Sequence, residues 1–265
     1  MRMREKVVLV TGSTRGIGKG IAHCCAQEGA RVVVHGRSVE RGEAVVADIR
    51  KKGGEAIFIA ADIGNEEEMS GLIAKTVKHY GRLTTLINNA APLDLIGRGQ
   101  DHAVEAHNLD AWERILRLCL TSVMLASKHA IPEIRKAGSG SIIHIGSGSV
   151  HAGNMDIDAY MASKSALIGL TRSMAAEYAR DGIRVNCLHP GFFTGDDPEQ
   201  RTMEPYAGIF LGSQLLRYWG ETEDIGWACV WLASDEGKFV TGTNIPVDGG
   251  QSIKSPIKPL FRTEE

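Results

Sequence analysis

The 265-residue sequence predicts an α/β chain: a doubly wound parallel sheet with helices on both faces. Lys6-Val7-Val8-Leu9-Val10-Thr11 is a nearly continuous apolar run with β-branched residues, the pattern of a strand buried on both sides. It ends in a glycine-rich turn, Thr11-Gly12-Ser13-Thr14-Arg15-Gly16-Ile17-Gly18-Lys19-Gly20, which leads into a helical stretch from Ile21. From there on, short strand-like runs alternate with longer helical stretches, with no internal repeat or linker, as parallel sheets require.

After the first strand, further strands are expected at Arg31 to Gly36, Ala56 to Ala61, Leu83 to Asn88, Ser141 to Ile145, Arg184 to Leu188 and Thr243 to Val247. Helices are expected between them, notably Val39 to Lys52, Glu66 to Tyr80, Ala111 to Arg135 and Asp158 to Asp181. In such a sheet ligands bind beyond the carboxyl ends of the strands. Asn88, Ser147 and Pro190 all fall there, so they are expected to share one cleft. In the glycine turn, Gly12 allows the tight reversal, Gly16 lets backbone approach a pyrophosphate, and Gly18 lets helix pack on strand. The helix N-terminus then offers its positive dipole end to phosphates.

Tyr160 and Lys164 stand four residues apart in Ala159-Tyr160-Met161-Ala162-Ser163-Lys164, thirteen residues after Ser147. On a helix that spacing sets phenol and ammonium one turn apart on one face. A phenol ordinarily titrates near 10, and bringing one near 7 takes about 4 kcal/mol of phenolate stabilisation. A neighbouring cation is a source for it.

The motifs Thr-Gly-x-x-x-Gly-x-Gly at Thr11 to Gly18, Asn88-Asn89-Ala90, Ser147 with Tyr160 and Lys164, Pro190-Gly191 and Val247-Asp248-Gly249-Gly250 resemble those of the short-chain dehydrogenase/reductase family. The likeness runs in order from about residue 5 to 251. It implies a single Rossmann-like domain over residues 1–265, a nicotinamide dinucleotide, and hydride transfer between that cofactor and an alcohol carbon. By this resemblance Tyr160 is the general acid/base, Ser147 orients the substrate oxygen, and Lys164 lowers the phenol pKa and bonds the nicotinamide ribose. Gly12, Ser13, Thr14, Arg15, Gly16, Ile17 and Gly18 then hold the cofactor together with Asp62, Ile63, Asn89, Ala90, Tyr160, Lys164, Pro190 and Gly191.

Cofactor preference is read from charge after the second strand. NAD-binding sheets usually carry an acidic residue there, whereas this chain has Val34-His35-Gly36-Arg37-Ser38. Arg37 and Arg15 can hold a 2′-phosphate through charge-assisted hydrogen bonds. NADP(H) is therefore preferred, with NAD(H) possible.

Three departures from the family pattern stand out, one of them Ala91, where the family usually has glycine after Asn-Asn-Ala. Cys119, by the resemblance a fourth catalytic candidate, occupies the position, seven residues after Trp112, where the family carries an asparagine that helps keep a relay water beside the lysine; its main-chain carbonyl can preserve that contact, and activity is expected to survive. The segment Ala91 to Asp110 is several residues longer than usual. Besides a redox enzyme, Cys119 leaves open a dinucleotide-binding protein without turnover; a non-redox epimerase or dehydratase is a third class, disfavoured by the short chain.

The substrate is expected to be a neutral ketone or secondary alcohol, since no fixed arginine pair offers itself to a carboxylate. The aromatic-rich stretch 191–220 is expected to form a lid, and His151, Met155 and Asp156 are candidate substrate contacts. A net charge of −2 gives no basic footprint for nucleic acid. No run is long enough to span a membrane, and no helical histidine pair with an acidic partner suggests a metal. Five cysteines without metal-ligand spacing suggest thiols and a cytoplasmic setting. Apolar residues on a second side of the helix from Asp158, including Ile168, Leu170, Met174 and Ala175, together with the resemblance, suggest a homotetramer. The tail 252–265 is expected to cross a subunit boundary or be disordered.

Overall fold

The computed structural model describes residues 1–96, 99–193 and 206–254. Among these residues seven strands, β1 (Val7–Val10), β2 (Arg31–Gly36), β3 (Glu55–Ala60), β4 (Thr85–Asn88), β5 (Gly140–Ile145), β6 (Ile183–Pro190) and β7 (Asn244–Val247), form one sheet in the order β3-β2-β1-β4-β5-β6-β7. Every pairing is parallel, with Val8 of β1 beside Val32 on one side and Thr85 on the other. Strand order reverses between β1 and β4. Such a switch point opens a crevice at the carboxyl edge of the sheet.

The helices are α1 (Gly16–Gln27), α2 (Val39–Lys51), α3 (Glu66–Tyr80), the single turn α4 (Leu93–Ile96), α5 (Leu109–Leu116), α6 (Ser122–Lys136), α7 (Asp158–Tyr178), α8 (Tyr206–Ser213) and α9 (Thr222–Ala233). Side chains alternate across each strand, so β1 feeds two cores. Val8 and Val10 join α1, α2 and α9 through Ile21, Val45 and Ile225. Val7 and Leu9 join α3, α6 and α7 through Leu72, Ile134 and Met174.

Two differences from the sequence reading have clear causes. The helix expected over Ala111 to Arg135 is divided: α5 passes through a wide π turn at Arg117–Thr121 before α6 begins. Cys119 sits in that turn, fully buried. Helix α9 was not among the expected elements, because Thr222 to Ala233 is apolar nearly all round and shows no polar stripe. It buries itself against α1, where Gly20 meets Thr222 and Gly226 meets Cys24. The second apolar side of α7 is largely intramolecular, since Met174 and Ala175 lie in the core. Of the expected lid, 194–205 lies outside the described residues, as does 255–265 of the tail.

Candidate active site

A cleft of about 1860 Å³ runs along the carboxyl edge of the sheet, and the glycine turn forms one wall. A Cβ at Gly18 would lie 2.3 Å from the Gly12 carbonyl oxygen and 2.4 Å from Asn89 Nδ2, so helix and strand approach as closely as only glycine permits. Gly16, with φ +53°, is different: a Cβ there would meet no atom within 4 Å. Its outer side is open cleft. The first turn of α1 carries no acidic side chain, so its positive dipole end is unopposed there.

The turn is pinned from behind. Asn89 donates from Nδ2 to the Thr11 and Gly12 carbonyls, at 2.9 and 3.0 Å, and its N–H donates to Thr11 Oγ1. On the other side the Gly12 N–H donates to His35 Nδ1 at 3.1 Å, which leaves Nε2 as the protonated nitrogen donating to the Ala61 carbonyl at 3.1 Å. Burial holds the His35 imidazole neutral, down to about 4. Ser13, expected at the cofactor, is not on the cleft. It is fully buried, its N–H and Oγ bond to the His35 and Val10 carbonyls, and its Oγ also accepts the His35 N–H. Asn88 also turns inward, to Ser127 Oγ and His144 Nδ1.

Gly12, Thr14, Arg15, Gly16, Ile17 and Gly18 line the cleft, as do Arg37, Asp62 and Ile63. Asn89, Ala90, Pro190 and Gly191 join them toward the middle. Arg41 and Arg114, which sequence reasoning passed over, lie on the wall too. Only the folded arrangement shows which of many surface arginines face inward. At Gly36 a Cβ would come within 2.6 Å of the Thr14 methyl. That position leaves no room for an acidic side chain as the turn now stands.

At the other end Ser147, Tyr160 and Lys164 line the same cleft. Tyr160 and Lys164 lie on α7, and the ammonium is 5.7 Å from the centre of the phenol ring. The ammonium is buried and donates to the Ile145 carbonyl at 2.7 Å, which ties α7 to the end of β5. Ser147 starts the turn Gly148–His151, and its Oγ accepts the Ser149 N–H at 3.2 Å. Since Oγ is an acceptor in that bond, its own proton remains available for a further acceptor. His189 supports the serine from beneath: its Nδ1 donates to the Ser147 carbonyl at 3.1 Å, and its ring fills the space a Cβ at Gly146 would need.

Cys119 does not line the cleft. It packs with Leu95, Ile115 and Ala159, and burial pushes its thiol up despite the nearby Lys164 charge. His151, Met155 and Asp156 are exposed and lie off the cleft lining. Of the lid aromatics, Phe193 packs on the core and pairs with Gly220, while Tyr218 is exposed.

Comparison with known proteins gives this arrangement a family. Residues 12–252 match a family model described as enoyl-(acyl carrier protein) reductase. The chain is 36% identical over 255 residues to a 7alpha-hydroxysteroid dehydrogenase of Clostridium sardiniense, covering 96% of each protein. It is 37% identical over 250 residues to a 3-oxoacyl-[acyl-carrier-protein] reductase of Synechocystis sp., covering 94% of this chain and 97% of that one. A solved short-chain dehydrogenase/reductase from Serratia marcescens superposes with a TM-score of 0.87 at 30% identity, covering 95% of this chain and 100% of the other. With the glycine turn, Ser147, Tyr160 and Lys164 disposed along one cleft, the chain belongs to the short-chain dehydrogenase/reductase family.

Proposed function

We propose that this oxidoreductase interconverts a ketone and a secondary alcohol with NADP(H), Tyr160 acting as general acid/base. The observation that carries this reading is the cleft itself, with the phosphate-suited glycine turn at one end and Ser147, Tyr160 and Lys164 at the other. The residues present suit a dinucleotide: the outer side of Gly16 opens on the cleft, where a side chain would project into the space a phosphate needs, and the first turn of α1 adds no negative charge. Arg15, Arg37 and Arg41 at that end, with Gly36 in the place of an acid, favour a 2′-phosphate.

When bound, the nicotinamide supplies or receives the hydride. In the reducing direction Ser147 Oγ donates a hydrogen bond to the substrate carbonyl oxygen and fixes its place. Tyr160 passes its phenolic proton to that oxygen as the carbon is reduced. Lys164, 5.7 Å from the ring, stabilises the negative charge left on the phenol. A named hydroxysteroid dehydrogenase and a named 3-oxoacyl reductase among the relatives support an alcohol–ketone pair. Tyr160→Phe is the test: kcat should fall by about 10²–10⁴-fold, the usual contribution of a positioned acid, and wild-type turnover would overturn the mechanism.

A homotetramer rests on family membership, and Met124, Trp231 and Phe239 are exposed apolar side chains that a partner copy could cover. No helix among the described residues is long and apolar enough to cross a membrane. Five unpaired cysteines favour a reducing, cytoplasmic setting.

A further inference from the structure

The longer connection between β4 and α5 makes one deeply buried contact with the catalytic helix. Asp101 lies within it and is 1% exposed. Its Oδ1 accepts the Ala159 N–H at 3.0 Å and its Oδ2 accepts the Tyr160 N–H at 2.9 Å. These are backbone donors in the first turn of α7, which has no cap of its own, because Ile157 stands at the N-cap position. The carboxylate therefore does from 58 residues away what a local serine or aspartate usually does. It also sets a negative charge against the positive end of the α7 dipole.

The carboxylate is itself held. His107 Nε2 meets Asp101 Oδ1 at 2.9 Å, while His107 Nδ1 bonds the Asn108 carbonyl at 3.0 Å. The imidazole ring stands edge-on to Trp112 with centroids 5.2 Å apart. A second contact follows the same path, from the Val104 N–H to Asp158 Oδ2 at 2.9 Å. Thus the connection, the start of α5 and the first turn of α7 form one hydrogen-bonded unit, and its central bond ends on the backbone of Tyr160.

We propose that Asp101 is a positioning residue for the reaction: by holding the Ala159 and Tyr160 amides it fixes where the Tyr160 hydroxyl stands relative to Ser147. Tyr160 is fixed along α7 at its C-terminal side by the Lys164–Ile145 bond. On its N-terminal side Asp101 supplies the corresponding anchor. Without it, the first turn of α7 is free to fray, and the phenol with it. The proposal rests on Tyr160 being the acid/base.

Asp101→Ala and Asp101→Asn are compared with wild type and Tyr160→Phe, with turnover normalised to the folded fraction by circular dichroism. Asp101→Ala should lose about 10²-fold in kcat, the scale of a 1 Å misplacement, with substrate KM little changed. Asp101→Asn keeps one acceptor for one of the two amides and should recover part of that loss. If Tyr160→Phe is fully active, the underlying mechanism fails. If Tyr160→Phe is inactive while folded Asp101→Asn and Asp101→Ala turn over like wild type, the positioning role fails. A loss that only follows the folded fraction, or failure of both variants to fold, overturns it as well and makes Asp101 a determinant of the fold.

Discussion

Replacing His35 with glutamine should flatten the acid limb of stability without undoing the glycine turn. In the fold His35 is neutral, accepting from the Gly12 N–H and donating to the Ala61 carbonyl, and protonation would set a second N–H against Gly12. Its value is held down to about 4 against an ordinary 6.5, chiefly by burial. A depressed imidazole means that the unfolded chain takes up the proton first, so stability is full above about 6.5 and falls as pH drops toward 4. The whole window corresponds to about 3 kcal/mol, of which about 2 kcal/mol is lost by pH 5. A glutamine can keep both bonds, with its amide oxygen toward Gly12 and its nitrogen toward Ala61, and it does not titrate. Urea unfolding followed by tryptophan fluorescence at pH 7 and pH 5 should show wild type losing about 2 kcal/mol more than His35→Gln. His144, held down to about 3 by burial, acts in the same direction but is present in both proteins and cancels. Equal losses in the two proteins would refute the assignment of a neutral, turn-bonded His35.

Arg37→Ala should weaken NADP(H) binding by about 1.5–3 kcal/mol, the range for a hydrogen bond to a charged group, and leave NAD(H) nearly untouched; unchanged preference in a cofactor titration would dismiss the 2′-phosphate role. Gly18→Ala puts a methyl 2.3 Å from the Gly12 carbonyl oxygen, so about 3 kcal/mol of stability should go, and added NADP(H) should no longer raise Tm. A cofactor-dependent rise in Tm equal to that of wild type would contradict it. All five cysteines are buried, and burial pushes the Cys24 and Cys187 thiols up to about 12. The native protein should therefore resist a thiol-specific disulfide reagent that titrates all five after denaturation; rapid labelling of even one native thiol would show that the packing is wrong.

What the sequence made legible was local. The glycine turn between β1 and α1 and the Tyr160–Lys164 pair on α7 each need only neighbours in the chain, so their spacing carries them. The parallel strands were visible for the same reason, as short apolar runs between helices. Contacts across the fold were not. Ser13 sits in the turn motif but faces the core because the His35 backbone claims it, and nothing in a run of small residues indicates which one turns inward. Asp101 reads as one more polar residue in a loop until α7 is folded over it. Cys119 faces Ile115 and Ala159 inside a wide turn and off the cleft, a placement that depends on α7 lying against α5 and so is not readable from Leu118-Cys119-Leu120.

The close fit of α1 on α9 also constrains the order in which a ribosome can finish the molecule. The apolar side of α1 is made in the first tenth of the chain, and its partner surface arrives 199 residues later, as the Cys24–Glu223 contact measures. Through most of synthesis the core around Ile21, Ala22 and Cys25 has its early members from β1, β2 and α2 but lacks Ile225, Cys229 and Val230, so apolar surface stays uncovered until late. Asn89 and His35 can pin the glycine turn before then, but α1 gains its α9 neighbours only when Thr222 to Ala233 has emerged, so a product truncated before that helix would keep the signature motif and leave one side of α1 uncovered.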